Sequence, residues 1–301
     1  MAPWIVILAL FLDAVLGEPR WLWSRVPHPA VVMGRMIGWA DRQFNNNTRF
    51  AGLCVVLALV IAMACLGWAL SQLGAVVQIV ITAILLAQRS LVQHIGHVAR
   101  DMRISLPSAR RSVAMIVSRN TRQMTPPDVA RAAIESGAEN VSDGLIAPAF
   151  WALIGGLPGI LVYKVINTAD SMIGYRTHKH ENFGWAAARL DDVLNWVPAR
   201  LTSILFWLAG GAIGRWSDIK QEATRHKSPN AGWPEAALAR ALNIAIAGPR
   251  IYHGARQDLP WVNPTGKRDI GATEIEKALH HLWRVWGLFV ILLIIVSFGT
   301  L

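Results

Sequence analysis

Residues 52–70 read GLCVVLALVIAMACLGWAL, and two residues later the chain resumes over 73–88 as LGAVVQIVITAILLAQ. Neither run holds a charged side chain, and a bilayer-spanning helix takes about 20 mostly apolar residues. With only Ser71 and Gln72 between them, the two runs must turn back on each other as a helical hairpin. The polar stretches on either side, 18–51 and 88–144, therefore lie on one side of the membrane. Composition agrees: of 301 residues 53% are hydrophobic and only 16% charged, with mean hydropathy +0.37. Soluble domains carry roughly a quarter charged residues, so disorder is excluded and a wholly water-soluble fold is disfavoured.

Further apolar windows fall at 3–17, 145–168, 196–214 and 285–301. The first has no basic leader, contains Asp13 and ends in Gly-Glu-Pro, which makes it a retained membrane segment and not a signal peptide. Lys and Arg outnumber Asp and Glu by 29 to 19, and the excess sits in loops: 5 Arg in 18–51, 8 Arg in 88–144, 11 Lys and Arg in 215–284. The positive-inside rule puts all three in the cytoplasm. The Arg residues are dispersed and lack a nucleic-acid-binding motif, so no nucleic acid is expected as partner. Cys54 and Cys65 lie about three helical turns apart in one run and imply no disulfide framework.

One conflict remains. If 145–168 and 196–214 each cross once, residues 169–195 lie outside the cell, although they are rich in polar chemistry. Both runs are interrupted, by Gly155-Gly156-Leu157-Pro158-Gly159 and by Gly210-Gly211, as broken or re-entrant helices are. Broken, partly inserted segments that return 169–195 to the cytoplasm are the favoured reading; two ordinary crossings are the alternative. With no repeat or linker in view, the expected fold is an all-α integral membrane protein. It is one domain, 1–301, a polytopic helical bundle with broken or re-entrant helices and cytoplasmic helical excursions.

Four polar clusters carry the chemistry. In the first, Asp13 and Glu18 precede Pro27-His28-Pro29; a carboxylate inside an apolar run is costly, so Asp13 either serves the function or marks an interfacial segment. The second begins at Thr125-Pro126-Pro127-Asp128, a helix start with Thr as N-cap. Glu135, Glu139 and Asp143 then follow four apart, stacking carboxylates at a helix C-terminus that would prefer cations. A hard cation such as Mg2+ among them, with Asn140, would relieve this; Arg131 offers Glu135 a plain surface ion pair instead.

The third cluster runs Tyr163-Lys164-Val-Ile-Asn167-Thr-Ala-Asp170 to Tyr175, then Arg189-Leu-Asp191-Asp192-Val-Leu-Asn195 and Arg200. Carboxylates and amides interleaved with Arg suit a metal and a phosphate held together, although a solvated charged face would show the same letters. The fourth, His226-Lys227-Ser228-Pro229-Asn230 with Glu235, then Gly248-Pro249-Arg250-Ile-Tyr252-His253-Gly254, reads as a ligand loop or as an ordinary turn. There is no P-loop, no Gly-x-Gly-x-x-Gly and no zinc spacing.

These clusters, in this order, resemble the CobD/CbiB family, the adenosylcobinamide-phosphate synthases of cobalamin biosynthesis, from about Leu12 to Trp261. The most specific stretches are Glu139 to Pro148, Asn167 to Tyr175, Ala188 to Leu201 and Ser228-Pro-Asn230. The chain departs at Ala169, where Leu is usual, and at Arg240 and Ala247, where Gly is usual. The resemblance implies an enzyme of a bacterial inner membrane, multi-pass, with its active site facing the cytoplasm. It would use ATP and Mg2+ to join adenosylcobyric acid to (R)-1-amino-2-propanol or its O-phosphate as an amide.

On that resemblance Glu139, Asn140, Asp143, Asp170, Asp191 and Asp192 are the metal ligands, with Asn167 and Asn195 as neutral partners. Arg189, Arg200, Arg176 and Lys179 contact phosphates. His226, Ser228, Asn230 and Glu235 bind the amine or take its proton, and Asp13 and His28 complete the substrate site. The lipid bilayer, other membrane enzymes of late cobalamin assembly and a second copy of the chain are the further partners it admits. Two other classes compete: an AmpE-like signalling or binding protein, against which the full set of carboxylates argues, and a transporter, which would show paired repeats.

Overall fold

In a computed structural model, residues 1–212, 214–252 and 255–299 are described. They form fourteen helices and two small ribbons: α1 (Pro3–Leu16), α2 (Arg20–Trp23), α3 (Pro29–Phe44), α4 (Arg49–Ser71), α5 (Ala75–Leu85), α6 (Gln88–Ile104), α7 (Leu106–Val113), α8 (Pro126–Val141), α9 (Ala147–Ile173), α10 (Trp185–Leu194), α11 (Trp196–Ala209), α12 (Trp216–Ala223), α13 (Gly232–Ala241) and α14 (Ala272–Gly299). The strands β1 (Ile246–Ala247) and β4 (Trp261–Val262) pair antiparallel, as do β2 (Arg250–Tyr252) and β3 (Ala255–Gln257). Among the described residues four helical stretches, 49–71, 75–104, 126–173 and 272–299, are long and apolar enough to cross a membrane. The chain is an all-α membrane protein.

The chain gathers into two compact units, each built from separated segments. One comprises 1–89, 143–198 and 292–301; the other comprises 90–142 and 199–291. The first holds the expected hairpin of α4 and α5. On α4 the residues Val55, Val56, Leu59 and Met63 are buried at helical spacing, while Leu53, Leu57, Ile61, Leu66 and Trp68 stay exposed on the other faces. Exposed apolar side chains in such number mark a lipid-facing surface and not a wet one.

The expected interruption in 145–168 is present as a kink. Gly156 sits inside α9 at φ 64°, ψ −153°, a conformation that side chains with a Cβ rarely adopt, and Pro158 follows it. The run at 196–214 yields only the 14 residues of α11, which rise about 21 Å against a hydrocarbon core of about 30 Å. As a helix, then, α11 is too short to cross a membrane unaided.

In the second unit Thr125 caps α8 through a capping box with Asp128: the Thr125 N–H donates to Asp128 Oδ2 at 2.9 Å. The helix does not stop at Gly144, however. A π turn over Ser142–Ile146 carries the backbone on into α9. The stacked carboxylates are therefore not at a helix C-terminus as the spacing suggested, because a π turn absorbs the extra residue that would otherwise end the helix.

Two of the departures from the family pattern acquire a physical meaning here. Ala247 sits at φ 60°, in the left-handed region, and its N–H donates to Glu135 Oε1 at 2.8 Å. Glycine reaches that conformation without penalty, and alanine costs about 1 kcal/mol there. Arg240 forks onto the buried Glu222, Nε to Oε2 at 3.0 Å and Nη2 to Oε1 at 2.8 Å. Ala169 is fully buried in α9.

Candidate active site

Within the first unit α9 and α10 bring the third cluster together except for Arg200, which belongs to the second unit and joins the fourth cluster. Asn167 and Asp170 sit one turn apart on α9, and Asp191 and Asp192 lie on α10, with Asn195 just beyond its end. The Asp191 carboxylate is held on both oxygens, Oδ1 accepting from Asn167 Nδ2 at 3.3 Å and Oδ2 from Asn195 Nδ2 at 3.0 Å. Asn195 is itself oriented: its Oδ1 accepts from the hydroxyl of Tyr163 at 3.0 Å, and that hydroxyl lies 3.1 Å from the Asp143 carbonyl oxygen. Burial pushes the Asp191 carboxyl up to about 7; nearby Asp170 adds to this, the two amides oppose it, and Asp192 contributes a little more. Burial also raises Asp192, with Arg189, 3.8 Å away, pulling the other way.

Gly174 supplies the room that Asp170 needs. A Cβ at position 174 would fall 2.0 Å from Asp170 Oδ1 and 2.6 Å from its carbonyl oxygen. Tyr163 and Gly174 lie within the third cluster, but no role for either follows from the letters alone; the fully buried hydroxyl of Tyr163 is a signal only once its partner is seen. Tyr163→Phe removes the donor that fixes Asn195. It is expected to cost about 1–2 kcal/mol of stability and to lower turnover about tenfold, read as a melting shift and a rate on the same preparation; a rate equal to wild type would separate Tyr163 from the site.

The donor set is all hard oxygen. Among the described residues no three His, Cys, Asp or Glu converge closely enough to enclose a metal by themselves. Mg2+ does not require that, since it is commonly held by one or two carboxylates and completes its shell with water and substrate phosphate. Asp170 and Asp191, the first close enough to disfavour ionisation of the second, with two amide side chains beside them, fit such an ion.

The fourth cluster assembles in the second unit. Arg200 Nη1 donates to Asn230 Oδ1 at 2.7 Å and Nη2 to the Pro229 carbonyl at 3.2 Å, while its guanidinium lies 4.8 Å from the centre of the Trp233 ring. Ser228 Oγ accepts from the N–H groups of Asn230 and Ala231, each at 3.2 Å. His226 Nδ1 accepts from the Ser228 N–H at 3.0 Å, and Nε2 lies 3.9 Å from Glu235 Oε1. Of the second part of this cluster, His253 and Gly254 lie outside the described residues.

Other expected site residues have different surroundings. Glu139 and Asn140 are exposed on α8, and Asn140 Nδ2 donates to the Ser136 carbonyl at 2.8 Å. Glu135 pairs at 2.5 Å with Arg119 and not with Arg131, which instead takes Asp128 at 2.5 Å. Asp13 is buried and accepts the Gln88 N–H at 2.8 Å, which makes it the cap of α6. The ring of His28 accepts the Ala30 N–H at 3.2 Å on Nδ1, and Nε2 lies 3.2 Å from the Ile84 carbonyl, so the neutral tautomer is fully used in structure; burial lowers its pKa. Lys179 pairs with Asp41 at 2.5 Å, with His180 3.2 Å from the same carboxylate. Burial works against the Asp41 charge, but hydrogen bonds from Lys179 and Asn45 outweigh it and hold the carboxyl below its ordinary value. Arg176 is exposed in the loop before α10.

Helices that suit a bilayer, together with a half-buried set of carboxylates and amides, define a membrane protein with a polar, oxygen-rich site. The CobD/Cbib protein family matches residues 6–282. The curated relatives include proteins named cobalamin biosynthesis protein CobD from Brucella anthropi, 45% identical over 97% of this chain and 96% of its own, and from Rhizobium meliloti, 42% identical over 91% and 90%. Another, from Rhodobacter capsulatus, is 43% identical over 87% of each chain. The chain belongs to the CobD/CbiB family. No solved structure matches it.

Proposed function

We propose that the chain is an amide-forming ligase of cobalamin biosynthesis, which joins the free propionate of adenosylcobyric acid to (R)-1-amino-2-propanol or its O-phosphate at the expense of ATP. The observation that carries this reading is the Asp191 carboxylate, clamped on both oxygens by Asn167 and Asn195 beside Asp170. Such a cluster is costly to assemble without a cation and a phosphate to serve. Mg2+ bound there would neutralise the charge that develops as a phosphoryl group moves.

The residues of the chain do the positioning. Asn167 and Asn195 hold Asp191 in one orientation, Tyr163 holds Asn195, and Arg189 presents a guanidinium to phosphate at the exposed edge of α10. With 169–195 returned to the side of the basic loops by the broken segments, the site would face the cytoplasm from a bacterial inner membrane.

Purified protein given ATP, Mg2+, adenosylcobyric acid and aminopropanol phosphate is expected to release ADP or AMP and to form an adduct whose mass is the sum of the two substrates less water. A folded preparation that makes no adduct with either form of the amine would sink the ligase reading.

A further inference from the structure

Residues 174–184 join α9 to α10, the helices that carry Asp170 and Asp191. They are gripped from α3. The buried Asp41 carboxylate pairs through Oδ2 with Lys179 Nζ at 2.5 Å, while Oδ1 lies 3.2 Å from His180 Nε2 and accepts from Asn45 Nδ2 at 2.8 Å. Asn45 Nδ2 also donates to the Lys179 carbonyl at 3.1 Å. From His180 the backbone runs without slack into α10: the Gly184 N–H donates to the His180 carbonyl at 2.8 Å and the Ala188 N–H to the Gly184 carbonyl at 3.0 Å, one turn before Asp191. The neck of the segment is closed as well, since a Cβ at Gly184 would fall 1.6 Å from the Ile173 carbonyl oxygen. Gly34, Gly38 and Asp41 follow at helical spacing on one face of α3. A Cβ at Gly34 would lie 3.4 Å from Met172 Sδ and one at Gly38 3.7 Å from Met172 Cε, so α3 also touches α9 two residues beyond Asp170.

We infer that Asp41 is a positioning residue: from α3 it holds the lead-in to α10, through Lys179 and His180, so that Asp191 stays opposed to Asp170 on α9. One helix is then the common reference for both halves of the site. Met172 seats α9 against Gly34 and Gly38, and Asp41, one turn further along α3, seats α10. Such a restraint has a task, because Asp170 disfavours the charge on Asp191 and the two carboxylates would not stay close unaided. A carboxylate suits the task better than an apolar contact: its hydrogen bonds to charged donors are directional, and Asn45 fixes its orientation. Lys179 serves the site through this clamp, its ammonium engaged by Asp41. The role in the site rests on reading Asp170 and Asp191 as one centre; the clamp on α10 does not.

The test is hydrogen exchange read by mass spectrometry on the full-length protein in detergent, with Mn2+ affinity measured by paramagnetic resonance in the presence of ATP on the same preparations. Asp41→Asn keeps the size and removes the charge. It is expected to speed exchange of the amides over 185–195 about tenfold while exchange over α4 is unchanged, and to weaken Mn2+ binding about tenfold, as losing a residue that orients metal ligands does. Asp41→Glu, which keeps the charge, should recover part of both. His180→Ala leaves the pair of Asp41 and Lys179 in place and should move both readouts the same way by less, which keeps the test decisive if Asp41→Asn does not accumulate. Unchanged exchange over 185–195 would overturn the assignment. So would faster exchange with unchanged Mn2+ affinity, since Asp41 would then be a plain fold contact. Faster exchange in Asp41→Asn of a protein that binds no Mn2+ even as wild type would leave the clamp standing and remove the cation site; Mn2+ binding that needs Asp191 and not Asp41 would do the reverse.

Discussion

Asp191→Ala is expected to lower turnover by at least about 10²–10³-fold while protein still accumulates in the membrane at the wild-type level. The physical reason is that Asp191 is where the site converges. Both of its oxygens accept amide hydrogens, from Asn167 on α9 and from Asn195 after α10, and Asp170 lies close enough to disfavour its ionisation. Removing one preorganised group from a charge-stabilising site costs that order of magnitude in rate. Asp191→Asn should be nearly as damaging despite its equal size, because an amide can present only one acceptor where the carboxylate presents two. Asn167→Ala and Asn195→Ala should be milder, about 10–100-fold, since they orient the carboxylate and do not replace it. Wild-type rates in both Asp191 variants would show that the cluster is only a packing element.

The second large effect concerns stability. Arg240→Ala is expected to destabilise the second unit by about 3–5 kcal/mol, the cost of leaving a buried carboxylate without its partner. Glu222 is 6% exposed, its two oxygens accept from the Arg240 fork, and Arg240 also reaches Asp218 at 3.4 Å. The double variant Arg240→Ala with Glu222→Gln should recover a large part of the loss, because the neutral amide no longer needs a cation. Thermal melting of the single and double variants reads this directly; a single variant as stable as wild type would show that Glu222 is neutralised by other means.

What was legible in the sequence is local. The hairpin of α4 and α5 followed from two uncharged runs with two residues between them. The start of α8 followed from Thr125 and the prolines, and the kink in α9 from Gly156 and Pro158. The candidate site was legible for the same reason: Asn167 and Asp170 are one turn apart, as are Asp191 and Asn195, so each pair needed only its own helix to be juxtaposed. Partners fixed by tertiary packing were not legible. Arg119 takes Glu135 across 16 residues, Lys179 takes Asp41 across 138, and Gln88 takes the oxygen of Asp13 across 75. No spacing rule reaches those distances.

The strands at 246–262 were also missed. At two or three residues each they are too short for alternation to register, and the positive φ of Ala247 lies in a residue type that gives no warning of it. The division into two units was hidden because each unit takes its residues from widely separated segments. No composition shift or linker marks the boundaries.

We propose that Asp170, Asp191, Asn167 and Asn195 form a site for a hard divalent cation and phosphate. Mn2+ in place of Mg2+ reports on it without turnover, through the paramagnetic resonance spectrum of purified full-length protein titrated in the presence of ATP. Mn2+ is expected to bind, to be displaced by Mg2+, and to be lost in Asp191→Asn and in Asp170→Asn. Mn2+ bound with unchanged affinity and spectrum in both variants would contradict it.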